Sequence, residues 1–231
     1  MTHSRNTAQT VKSTLYLIAI SIVMFVGLLL RPEAIPRDTN QIVDYLTSLA
    51  DIPNSVTAVI LGSRLFDTIG EVTVFTVAGI GVKILLTDEE SETKLLGIQD
   101  PVIISLLDFV ALLSAFLAVE LAIRGHITPG GGFAAGVAGA TSVTLLMVTG
   151  RLDEIEQFYS NSNAAVLEKQ AVIAFILFAI MSFASIVYPT SPFSWIPQNI
   201  YIPLLNIIAG LKVTIGAWSI IRLFINKRGI I

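Results

Sequence analysis

Five ionisable side chains, Glu71, Lys83, Asp108, Glu120 and Lys212, stand inside long apolar runs of this sequence. An ionised group at the centre of a bilayer costs at least ~2.5–3.5 kcal/mol on insertion scales. Such groups therefore face protein or water, and they pair or change protonation. Burial disfavours the charged form of a carboxyl or a lysine, bringing both toward the range in which protons exchange. The chemistry suggested is relay of protons or cations through a membrane. Static salt bridges that hold helices together are the competing reading, and the residues alone leave both open.

Depth within the runs separates these five. Glu71 and Glu120 each lie about one helical turn from the outer end of a run. Lys83 lies about one turn from an inner end, where a long stem lets the ammonium snorkel to the interface. Asp108 is about two turns in, and a pairing with Lys83 across neighbouring helices is available to it. Lys212 is near the middle of the last run at ~1.5 Å rise per residue. It carries the costliest charge.

A second cluster lies between two apolar runs, in "RGHITPGGGF", residues 124–133. Arg124 and His126 sit at its mouth. A histidine there titrates near neutral pH, although an ordinary loop histidine fits equally. The run Pro129, Gly130, Gly131, Gly132 can unwind a helix start and expose peptide groups, which membranes tolerate only against protein or water. Gly132, Gly136 and Gly139, interspersed with Ala134, Ala135, Ala138 and Ala140, give the next run a small-residue surface. Such surfaces let helices approach closely in lipid, where packing replaces the hydrophobic drive.

The elements that carry these residues follow from composition. Hydrophobic residues make up 54% and charged residues 13% of the 231, and mean hydropathy is +0.78. Soluble domains carry about a quarter charged residues, so the expected class is an all-α integral membrane protein. A helical span takes ~20 mostly apolar residues. Six runs approach or meet this: Thr14–Leu30, Thr68–Leu86, Val102–Ile123, Gly132–Thr149, Lys169–Tyr188 and Pro203–Phe224. The first is followed by "RPEAIPR" with no small-residue cleavage site, so it reads as a retained span. With six spans both termini share one side, which collects Arg5, Lys12, Lys94, Arg151, Lys169, Arg222, Lys227 and Arg228. The other side collects Arg31, Arg37, Arg64 and Arg124. This bias predicts cytoplasmic termini. Cysteine is absent, which excludes thiolate metal sites and disulfides within the chain. The two histidines make a self-contained metal or haem site improbable, and nothing suggests nucleic acid.

Between the first two runs, "IVDYLTSLADI" has the spacing of an interfacial helix. "NSVTAVILGSRLFD" is too short to span and too apolar to stand in water. It either packs over the mouth of the protein or re-enters beside neighbouring helices. "GRLDEIEQFYSNSNAAVLEK" reads as a short amphipathic segment at the inner surface, and "TDEESETKLLGIQDP" as a solvated acidic loop.

At these residues a family resemblance emerges. "RGHITPGGGFAAGVAGA" resembles the signature of the MnhB/MrpB subunit of Mrp-type multi-subunit Na+/H+ antiporters. "NSVTAVILGSRLFDTIGEVTVFTVAGIGV" resembles the C-terminal end of the large MrpA subunit, and matching subunits of complex-I-related membrane-bound hydrogenases. The resemblance implies an N-terminal tail over residues 1–13, an MrpA-tail-like segment over 14–94 and a four-helix MnhB-like segment over 95–231. It implies an ion-transfer role for Glu71, with Arg64, Asp67 and Gly70 in the motif before it. Gly125, His126 and Pro129–Phe133 match the turn, and Gly136 follows it. The function implied is an ion-path subunit of a monovalent cation/proton antiporter in a prokaryotic plasma membrane. Implied partners are MrpA-, MrpC- and MrpD-like and small subunits, with Na+, H+ and lipid. Neither enzyme activity nor a cofactor is expected. Joining the two segments in one chain departs from the usual pattern, and the broken-helix antiporter modules are absent, so alone the chain is not expected to pump. A subunit of a redox-driven ion pump and a purely structural scaffold are the alternatives.

Overall fold

The computed structural model describes residues 39–89, 98–188 and 190–228, together with residues 18, 21, 22 and 25. Two compact units are present, residues 1–39 and 40–231, and the elements below belong to the second apart from the first residue of α1. The expected first span, Thr14–Leu30, lies outside the described residues except for Ile18, Ser21, Ile22 and Phe25, which are helical. Among the described residues there is no strand.

The chain begins this unit with α1 (Thr39–Ala50) and a short helix α2 (Ser55–Ala58), which runs through a π-helical turn (Val59–Ser63) into α3 (Leu65–Leu85). α4 (Pro101–Arg124) follows, then α5 (Gly131–Leu146), a second π turn (Met147–Arg151) and α6 (Leu152–Asn161). α7 (Ala164–Val187), a 3-10 turn (Pro192–Trp195) and α8 (Gln198–Arg228) complete it. Five of these stretches are long and apolar enough to cross a membrane: α3, α4, α5 with its continuation to Asn161, α7 and α8.

Local chemistry explains the helix ends. Asp100 caps α4, its Oδ1 accepting from the Val102 and Ile103 N–H groups at 2.8 and 3.3 Å, and Pro101 occupies the first turn, where a missing N–H does no harm. α5 and α6 are separated at Gly150, whose φ of 89° breaks the helix. Asn163 takes a left-handed conformation just before α7. That helix starts at Ala164, five residues earlier than the apolar run suggested, directly after the left-handed Asn163.

α8 is the hub, touching α3, α4, α5 and α7. One core joins Ala58, Leu61 and Leu65 to Phe175 and Ala179 of α7 and to Ile202, Leu205 and Ala209 of α8. This places the awkward segment 54–67: it is a packed element leading into α3. A second core gathers Met147, Tyr159, Ala164, Ile215, Trp218 and Ile225, so α6 is the expected amphipathic segment, laid against the far end of α8.

Candidate functional site

The site is built around the end of α4. The last carbonyls of a helix have no partner within it, and away from water they must find one elsewhere. Two asparagines supply it. Asn206 Nδ2, from α8, donates to the carbonyls of Ala122 at 2.7 Å and Leu121 at 3.2 Å. Asn54 Nδ2 donates to the carbonyls of Thr128 at 2.8 Å and Gly125 at 3.0 Å, and Thr57 Oγ1 donates to Gly125 at 2.8 Å. The Asn54 N–H donates to the His126 carbonyl at 3.2 Å. Its Oδ1 meanwhile caps α2 by accepting from Val56 and Thr57. One side chain thus fixes both the turn and the segment leading into α3.

The glycines make this closeness possible. Gly130 and Gly131 have φ of 139° and 81°, a region that side chains with a Cβ rarely enter. Gly132 lies so near α8 that an added Cβ would strike the Asn206 carbonyl and come within 2.8 Å of Ala209 Cβ. Gly136 and Gly139 continue the seam against Val213 and Thr214. The small-residue surface of α5 therefore faces α8.

Between the turn and α3 lies a cavity of about 500 Å³. Asn206 and Ala209 line it from α8, Pro129–Phe133 from the turn, and Arg64, Asp67 and Glu71 from the start of α3. Arg64 and Asp67 neutralise each other at 2.6 Å. Glu71, one turn further along, makes no ion pair among the described residues. The cavity therefore carries an uncompensated carboxylate beside peptide and amide groups, an arrangement suited to a hydrated cation or a proton.

A family model described as "Domain related to MnhB subunit of Na+/H+ antiporter" matches residues 102–219, just over half of the chain. The chain belongs to the MnhB-related family. That match runs from the first turn of α4 through most of α8 and contains the whole turn. A chain in the solved structure of the membrane-bound sulfane sulfur reductase, an archaeal respiratory membrane complex, shares the fold. The TM-score is 0.64 at 22% identity, over 94% of this chain and 98% of that one, so the likeness extends through α1–α3 as well. No curated protein matches. Family and helices together make this a multi-pass membrane protein.

In this MnhB-related chain the sequence-chosen residues fall into separate places. Arg64, Asp67, Glu71 and Pro129–Phe133 meet at the cavity, with Gly125 and His126 behind it. His126 Nδ1 is buried without a hydrogen-bond partner. Glu120 binds Arg124 on its own helix at 3.2 Å. Gly70 has no neighbouring atom within 4 Å of an added Cβ. Asp108 does not pair with Lys83, as the sequence allowed. It binds Arg151 at 2.7 Å and Thr149 at 3.1 Å, because α4 packs beside α5 and its π turn, while α3 packs on α7 and α8. Lys83 stays exposed with no ion pair among the described residues.

Lys212 is enclosed in the bundle, 4.0 Å from Glu168 of α7 and 4.0 Å above the Phe75 ring of α3. Sequence reasoning passed over three residues that matter here: Asn54, Asn206 and Glu168. An amide inside the last apolar run was a signal for Asn206. Glu168 looked like the edge of a span.

Proposed function

We propose that this chain is a membrane subunit of an Mrp-like or related multi-subunit complex, and that it helps form a path for Na+ or H+. Membership of the MnhB-related family supports the complex. The observation that carries the ion path is the cavity itself, which Glu71, exposed and without an ion pair among the described residues, lines together with the glycine turn and Asn206. Within this reading the chain does no covalent chemistry, needs no cofactor and lies in a prokaryotic plasma membrane. Transport requires partners of the MrpA, MrpC, MrpD and small-subunit kind. Na+/H+ antiport is the first reading. A redox-driven host complex is the second, favoured by the fold shared with a chain from an archaeal respiratory complex. Purifying the native complex and identifying its subunits separates the two.

The test of the ion path is Glu71→Gln, which keeps the shape but removes the charge. Vesicles carrying the intact complex should assemble the variant normally and lose most NaCl-induced ΔpH dissipation, with partial activity in Glu71→Asp. Wild-type exchange in Glu71→Gln at equal complex content would leave Glu71 a structural residue.

A further inference from the structure

Lys212 is the one fully buried charged side chain among the described residues. Its ammonium has three donors and not one hydrogen-bond partner. Glu168 Oε1, at 4.0 Å, is beyond hydrogen-bond range yet close enough to be the dominant counter-charge in a dry interior. The two groups differ in access, for the Glu168 side chain is 20% exposed and that of Lys212 is 0% exposed.

Three helices shape this meeting. Phe75 of α3 roofs the ammonium. Gly216, one turn after Lys212 on α8, leaves the slot in which the carboxylate lies. An added Cβ there would stand 2.8 Å from Glu168 Oε1 and 2.7 Å from Phe75 Cε1. The other charge acting on Glu168 is Lys169, its neighbour on α7. α3 brings the Phe75 ring, α5 meets this part of α8 through Gly136 and Gly139, and the two carboxylates of α4, Asp108 and Glu120, are paired with Arg151 and Arg124. The next charge along α8, Arg222, is held by Glu156 of α6.

We propose that Glu168 and Lys212 together hold one exchangeable proton, with Glu168 its port and Lys212 its sealed store. When the 4.0 Å gap closes, the Nζ–H bond breaks as an Oε1–H bond forms. An amine and a carboxyl replace an ammonium and a carboxylate, and the charge of the pair stays zero. The carboxyl then releases its proton to water at its exposed edge, leaving the pair at one negative charge. Reprotonation reverses both steps. The consequence for transport rests on the ion-path reading, whereas the proton site is a property of the pair.

The experiment compares Glu168→Gln, Lys212→Met, the double variant and Gly216→Ala in the assembled complex. Removing one partner leaves a buried charge or an empty counter-site, while removing both relieves it. The double variant should therefore assemble better than Glu168→Gln. Its cation/proton exchange should fall at least about tenfold, as for loss of a proton-transfer group, with a flattened pH profile. Gly216→Ala, which keeps both charges but closes the slot, should flatten the profile too. Infrared difference spectra of the complex between acid and alkaline pH should contain a shift of a carboxylate stretching band, as Glu168 loses the ammonium 4.0 Å away, that Glu168→Gln removes. A double variant with wild-type rate and pH profile, or spectra unchanged by Glu168→Gln, would overturn the proposal. Absence of exchange in the wild-type complex would instead defeat the ion-path reading, and the infrared comparison alone would then decide the proton site.

Discussion

The two ends of the bundle solve the same problem, polar groups at membrane depth, in opposite ways. At the end holding α6, charges close on one another: Asp108 with Arg151 and Thr149, and Arg222 with Glu156. Arg222 also lies 4.1 Å over the Tyr159 ring, and Lys227 donates to the Glu89 carbonyl at 2.7 Å. At the glycine-turn end the ion pairs are local, Arg64 with Asp67 and Glu120 with Arg124. Between helices, neutral amides tie down bare carbonyls, and Glu71 lines a cavity with no ion pair among the described residues. Charges paired across elements, Asp108 with Arg151 and Arg222 with Glu156, are committed to holding helices together. On the proposed reading, satisfying the turn with amides leaves Glu71 available for an ion. The contrast separates lock from path.

Gly132→Val attacks the amide-tied end hardest and should have the largest effect. The branched side chain would drive α5 off the Asn206 carbonyl and Ala209, so the yield of assembled complex should collapse. Normal yield with altered cation dependence would move the turn from scaffold into the ion site.

Asn206→Ala comes next. It leaves the Leu121 and Ala122 carbonyls without a donor, and a buried unsatisfied group costs about 1–3 kcal/mol. A lower thermal midpoint of the complex should result, and an unchanged midpoint would show that the turn end is wetter than its geometry implies.

Arg151→Gln cuts a pair that is partly exposed, with Asp108 26% and Arg151 48% accessible. A smaller drop in midpoint is expected, with cation dependence untouched. Altered cation dependence would erase the distinction between the two ends.

Glu120→Gln should do least, within about 0.5 kcal/mol, since an exposed i,i+4 pair contributes little. Its partner Arg124 is 53% accessible. A large loss of exchange would bring Glu120 back into the path.

Much of this architecture is legible in the sequence, and the reasons are local. Apolar runs of membrane length announce α3, α4, α5, α7 and α8, since each must satisfy its own backbone in lipid. The glycines of residues 130–139 announce close packing because a missing Cβ has few other uses in a span. What was illegible depends on rotation between helices. Nothing local tells Asp108 to choose Arg151, 43 residues away, over Lys83. Asn54 reads as a loop residue until the end of α4 is brought beside it. Glu168 hides for a similar reason: a charged residue beside Lys169 looks like a membrane boundary unless the position of Lys212 on the facing helix is known.

The central claim is that Glu71 serves the ion while Asp108 serves the lock, and one side-by-side measurement tests it. Vesicles with equal amounts of complex carrying Glu71→Gln or Asp108→Asn are given NaCl, and dissipation of ΔpH is followed. Glu71→Gln should lose most of the exchange with normal complex stability. Asp108→Asn should keep its exchange rate per complex while losing stability. Equal exchange in both, or the reverse order, would contradict the assignment of path and lock to the two ends.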